Sequence, residues 1–153
     1  TDRAPAFEDF AVGDTTFAGR PAPVELNSAA YGREFRTVLQ QGAAEGPNFA
    51  GHFTVVTWGC GSGCQVSAVV DAVTGVLSQQ TLLTARGVSF RRDSGVLVAD
   101  PADPADPEPD ECASCGTPAH YIWEDGRFHP AGPGPHPHIE GPRPWQGDDA
   151  RTP

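Results

Sequence analysis

Two β-branched runs constrain this chain more than anything else in it: HFTVVTWGC from His52 and CQVSAVVDA from Cys64, hinged on Gly61-Ser62-Gly63. They read as the two arms of an antiparallel hairpin. With Gly-Ser-Gly as a three-residue loop, Cys60 and Cys64 oppose each other with Cα atoms about 4.5 to 5.5 Å apart, within the range of a disulfide. That register pairs Trp58 with Val66, Val56 with Ala68 and Thr54 with Val70 on the cysteine face. Phe53, Val55 and Val69 fall on the opposite face. Both faces are partly apolar, so the sheet needs a cover on each side: a helix on one, and loops or the N-terminal arm on the other.

The remaining strand signals are short and punctuated. GVLSQQTLL continues the pattern, VSFRRDSGVLVAD carries a turn at Asp93-Ser94-Gly95, and HYIWEDGRFHP holds Asp125-Gly126, a dipeptide suited to the two positive-φ positions of a type I′ turn. The 18 Gly and 16 Pro, more than a fifth of 153 residues, favour this short-strand plan over long helices. One helix is expected over AAYGREFRTVLQQG, capped by Asn27 or Ser28 and stopped by Gly42. Its apolar stripe is Tyr31, Phe35, Val38 and Leu39. The expected fold is mainly β (α+β): an antiparallel meander of about six strands with one N-terminal amphipathic helix packed on it, and extended Pro-rich arms. Residues 1–27 read as an extended arm with short strands that packs at a sheet edge. Residues 28–130 read as a single β-rich domain with an acidic, Pro-rich insert at 100–118, and 131–153 as a Pro/His-rich tail anchored by Trp145.

A formal charge of -10 and a pI near 4.7 argue against nucleic acid or an anionic membrane surface as partner. No apolar run reaches the roughly 18 residues of a membrane helix, so membrane insertion is not expected. All the basic residues are Arg, and the chain starts at Thr1 without any Met. With four cysteines in two close pairs, this reads as an exported chain whose leader has been removed, placed in the periplasm or outside the cell.

The cysteines admit more than one chemistry. For Cys60 and Cys64 a structural disulfide is preferred. A catalytic thiol needs a neighbouring base, and the nearest histidine in sequence, His52, stands roughly 26 Å away along an extended strand. Cys112 and Cys115, in CASC, suit a second local disulfide. The alternatives are a crossed pairing, a four-thiolate zinc site joining both pairs, or a thiol-disulfide redox motif, although CASC follows a Pro-Asp-rich loop rather than opening a helix in a βαβ unit. His129, His136 and His138 form an alternative metal set, read first as accidental histidines of a Pro-rich tail. Asp100, Asp103 and Asp106 share one face of a polyproline II repeat. They are roughly 9 Å apart, too far for calcium to gather them, and read as solvated linker. The aromatics, Tyr121 among them, are assigned to the core before any sugar-stacking role. No P-loop, dinucleotide fingerprint, nucleophile elbow or zincin motif is present, and no cofactor is expected.

The block GPNFAGHFTVVTWGCGSGCQVSAVVDAVTGVL, with FRRDSGVLVAD and YIWEDGRF, resembles a group of uncharacterised exported bacterial proteins that carry a Phe-Ala-Gly-His strand, a Trp-Gly-Cys-Gly turn and a terminal aromatic hairpin. The likeness spans Tyr31 to Phe128. It implies an exported β-rich fold and no catalytic residue. The expected role is non-enzymatic: structural, self-assembling into an oligomer or filament through the N-terminal arm or the tail, or partner-binding. Metal binding and thiol redox are the alternatives.

Overall fold

The computed structural model describes residues 4–13, 16–17, 19–61, 63–101 and 118–140. Its strands are β1 (Phe53–Gly61), β2 (Cys64–Asp71), β3 (Thr81–Thr84), β4 (Val88–Phe90), β5 (Val96–Ala99), β6 (Ala119–Glu124), β7 (Arg127–Ala131) and β8 (Ile139–Glu140), with one helix, α1 (Arg36–Ala43). They form two antiparallel four-stranded sheets instead of one six-stranded meander: β1-β2-β3-β8, here sheet I, and β4-β5-β6-β7, sheet II. The chain leaves sheet I through Ala85–Gly87 and returns through 132–138.

Alternation along the first hairpin dictates the layering. Thr54 faces Val70, Val56 faces Ala68 and Trp58 faces Val66, as the pattern predicts. On this face Val56, Ala68, Val70 and Leu77 pack with Leu39 and Ala43 of the helix, flanked by Tyr31, Phe35, Val38 and Trp58. The other face of sheet I is covered by sheet II, where loops or the N-terminal arm were expected. Val55, Val69 and Leu82 meet Leu97, Ala99, Ala119, Tyr121, Trp123 and Phe128 there, with Phe49 filling the centre. Each sheet buries the apolar face it could not leave in water.

Three local details differ from expectation. The helix is shorter than predicted, because the chain turns over 30–35 before it begins. Gly32 lies so close to Leu26 that a Cβ would stand 2.0 Å from the Leu26 carbonyl oxygen. Gly42 sits inside the helix and does not stop it: a Cβ there would meet Val56 Cγ1 at 2.7 Å, so this glycine sets how closely α1 approaches β1. At the hairpin tip Gly59 opposes Gln65 and Gly61 opposes Cys64, which leaves Cys60 as an extra residue on β1. That is a bulge, and it replaces the expected three-residue loop.

The second hairpin follows its sequence closely. Asp125 (φ 57°) and Gly126 (φ 75°) close β6 onto β7 with Glu124 opposite Arg127. The N-terminal segment is tied to the turns that follow β2 and β4: Val12 N–H donates to Asp93, Gly95 N–H to Phe10, Ala22 N–H to Ala72 and Glu25 N–H to Gly75.

Candidate functional site

Asp100 follows β5 in the left-handed region (φ 52°), a conformation that Asp adopts more readily than most residues. The turn swings its carboxylate under the first crossing between the sheets. Oδ1 accepts the backbone N–H of Ala85 at 2.8 Å and of Arg86 at 2.5 Å. Oδ2 lies 3.0 Å from Nε2 of His138, on the returning crossing. The other ring nitrogen, Nδ1, is 2.9 Å from the Tyr121 hydroxyl, which also accepts the backbone N–H of His138 at 3.2 Å. Arg86 closes the outside, its guanidinium donating to the carbonyls of Asp100 and Pro101. One residue from each crossing, one from β6 and one from the end of β5 thus meet in a single knot.

One proton arrangement satisfies every partner. Nε2–H donates to Asp100, the Tyr121 O–H donates to Nδ1, and the Tyr121 oxygen accepts the backbone N–H of His138. The imidazole is then neutral. Burial holds the His138 imidazole below its ordinary pKa against the pull of Asp100, with His136 adding to the depression. Burial likewise raises the Tyr121 phenol. Asp100, Tyr121 and His138 are exposed by only 2%, 0% and 4%, so no reactant reaches them from solvent. A His beside an Asp and a hydroxyl has the parts of a catalytic set, but here they are spent on joining the two sheets.

This placement corrects the linker reading of Asp100 and the accidental-tail reading of His138. Tyr121 was legible as core, since it shares the inward face of β6 with Ala119 and Trp123. A buried tyrosine hydroxyl needs a partner, and that was the one signal in the sequence pointing to a buried polar group nearby.

The other candidates are placed apart. Cys60 and Cys64 are joined in a disulfide with Cα atoms 5.1 Å apart. His129 Nε2 lies 3.0 Å from the Glu124 carbonyl oxygen and His136 Nε2 2.7 Å from that of Ala131, while both ring nitrogens of His138 are taken within the knot. Among the described residues no three His, Cys, Asp or Glu form a group that could hold a metal ion. His52 stacks on Phe53 at 4.2 Å and approaches Asp71 at 3.5 Å, beside a cavity of about 100 Å³ lined by Phe53, Val69, Leu77 and Trp123. That volume is below what a small-molecule pocket needs. Asp103, Asp106, Cys112, Cys115 and Trp145 lie outside the described residues.

The free edge of β1 is divided. Its first half is closed: Phe53 exchanges backbone hydrogen bonds with Phe49, and the Asn48 side chain bonds both backbone groups of Val55, accepting its N–H at 2.8 Å and donating to its carbonyl at 3.3 Å. By strand alternation Thr57 and Gly59 also turn their backbone groups outward. Among the described residues none bonds to them there. Both are exposed, and they border a cleft of about 370 Å³ with Trp58, Cys64, Gln65 and Ala85. Among the described residues no helix is long and apolar enough to cross a membrane. Compared with protein-family models, curated proteins and solved structures, the chain matches none of them.

Proposed function

We propose that this chain is a non-enzymatic, exported β-domain that works by association, receiving an extended segment of a second copy along the outer half of β1. One observation carries the reading: among the described residues nothing bonds the outward backbone groups of Thr57 and Gly59, which border an open cleft, while Phe49 and Asn48 close the rest of the same edge. Unpaired strand edges bind strands. The segment Thr57–Cys64 contains no charged residue, so a close approach there adds no local repulsion to a chain of net charge -10. Partners on this edge come from the N-terminal arm or from residues 132–153, with Trp145 as the anchor. The export reading rests on the four cysteines, one pair of which forms a disulfide.

Light scattering of the full chain tests it. The expected mass exceeds that of a monomer and grows with salt as net repulsion is screened. Gly59→Lys places a charge on the edge, and a Cβ at Gly59 meets nothing within 4 Å, so the fold is kept while the mass falls to that of a monomer. A wild-type chain that stays monomeric at every salt and protein concentration overturns the proposal.

A further inference from the structure

The return segment 132–138 and β8 meet the body through a short ladder, through the His136 ring against Tyr121 with centroids 5.3 Å apart, and through the His138 ring. The β8 ladder is two pairs, Thr81 with Glu140 and Leu82 with Ile139, extended by one bond from Leu83 N–H to the His138 carbonyl. Beyond that, Ile139 packs partly against the inter-sheet core, and the His138 imidazole enters the knot with Asp100 and Tyr121. The deepest polar anchor of this strap is therefore a single titratable ring. Its bond from the Tyr121 hydroxyl to Nδ1 closes only when the ring is neutral.

We propose that His138 is a protonation latch: adding a proton at Nδ1 opens its bond to Tyr121 and releases residues 132–140 from β3, leaving the Thr81–Leu83 edge free. The cause is the loss of an acceptor. A protonated Nδ1 turns an N–H toward a hydroxyl whose oxygen already accepts the backbone N–H of His138; the oxygen can take both, but the Tyr121 proton then loses the acceptor it had, on a side chain that is 0% exposed. The groups facing the ring come from every element packed on it: Asp100 after β5, Tyr121 on β6, His136 on the strap, and Arg86 on the outward crossing, whose guanidinium bonds the Asp100 carbonyl. Asp100 favours the charged ring. Its Oδ1 is already committed to two backbone N–H groups, and burial of the imidazole outweighs the attraction. The latch and the association at β1 are tested apart, since the latch is read at the opposite edge of sheet I, in the Leu83 amide.

Amide hydrogen exchange on the full chain, corrected for intrinsic rates, tests it at pH 7.5 and pH 5. The Leu83 amide is expected to lose about tenfold or more of its protection at pH 5, as a local opening of the strap, while the Val96 and Ile122 amides of sheet II keep theirs. His138→Gln is expected to remove this pH dependence whatever its baseline. Equal protection of Leu83 at both pH values overturns the latch, as does a fall shared equally by the sheet II amides. Persistence of the dependence in His138→Gln assigns the titration to another group and likewise overturns it. Should that variant not fold, the comparison of Leu83 with sheet II in the natural chain decides alone.

Discussion

Tyr31 shows how one side chain can set a pH limit. Its ring packs beside Trp58, with centroids 6.4 Å apart, and its hydroxyl donates to the Ser78 carbonyl at 2.7 Å. Burial pushes its pKa up to about 12, with the hydrogen bond to Ser78 pulling weakly the other way. The folded chain therefore keeps this proton where the unfolded chain gives it up, from near pH 10. Stability from this group is complete below pH 10 and is lost as pH rises toward 12. We expect the free energy of unfolding to fall across that window, and Tyr31→Phe to flatten the fall while costing about 1 kcal/mol at neutral pH through the lost hydrogen bond. Denaturant titrations at pH 7, 10 and 11 check this; an alkaline slope identical in both proteins refutes it.

The first hairpin carries its own restraint. Cys60, the bulged residue, is tied to Cys64 only four positions on, at the end where β1 and β2 run beyond the packed region. Toward the other end, Val55, Val56, Ala68, Val69 and Val70 are all buried. A loop this short restricts the unfolded chain modestly, so reduction is expected to lower stability by at most about 3 kcal/mol. Denaturant midpoints with and without reductant measure it. Complete unfolding on reduction would mean that the pairing of Trp58 with Val66 depends on the bond, contrary to the packing seen here.

At the scale of the molecule, two crossings join the sheets and Asp100 grips both of them. Ending the chain after Ala131 takes away β8 and His138, which leaves the carboxylate with two backbone donors and no imidazole, and the Tyr121 hydroxyl without its partners. Breaking a buried polar pair on one side costs about 3 to 5 kcal/mol. The truncated chain is expected to lose at least that much, read as a lower denaturant midpoint with early exposure of Trp123 by fluorescence. Unchanged stability would show that 132–140 is a detachable tail.

The elements whose hydrogen bonds close locally were legible in the sequence alone: the β1–β2 register from alternation, the Cys60–Cys64 bond from spacing, and the Asp125-Gly126 turn from its two positive-φ residues. Long-range contacts were not. Nothing near Gly42 announces that Val56 will press on it, so the residue read as a stop. Asp100 opens an acidic repeat and His138 sits among prolines, and each reads as solvated by its neighbours. Only the return of the chain from sheet II to sheet I places them 3.0 Å apart. Alternation specifies which face of a strand is apolar, but the partner that covers that face depends on crossings whose contacts span 38 residues, as between Asp100 and His138. Local sequence therefore determined the two hairpins β1–β2 and β6–β7, and the tertiary structure decided that the strands form two sheets, that residues 139–140 join one of them, and that a histidine closes them.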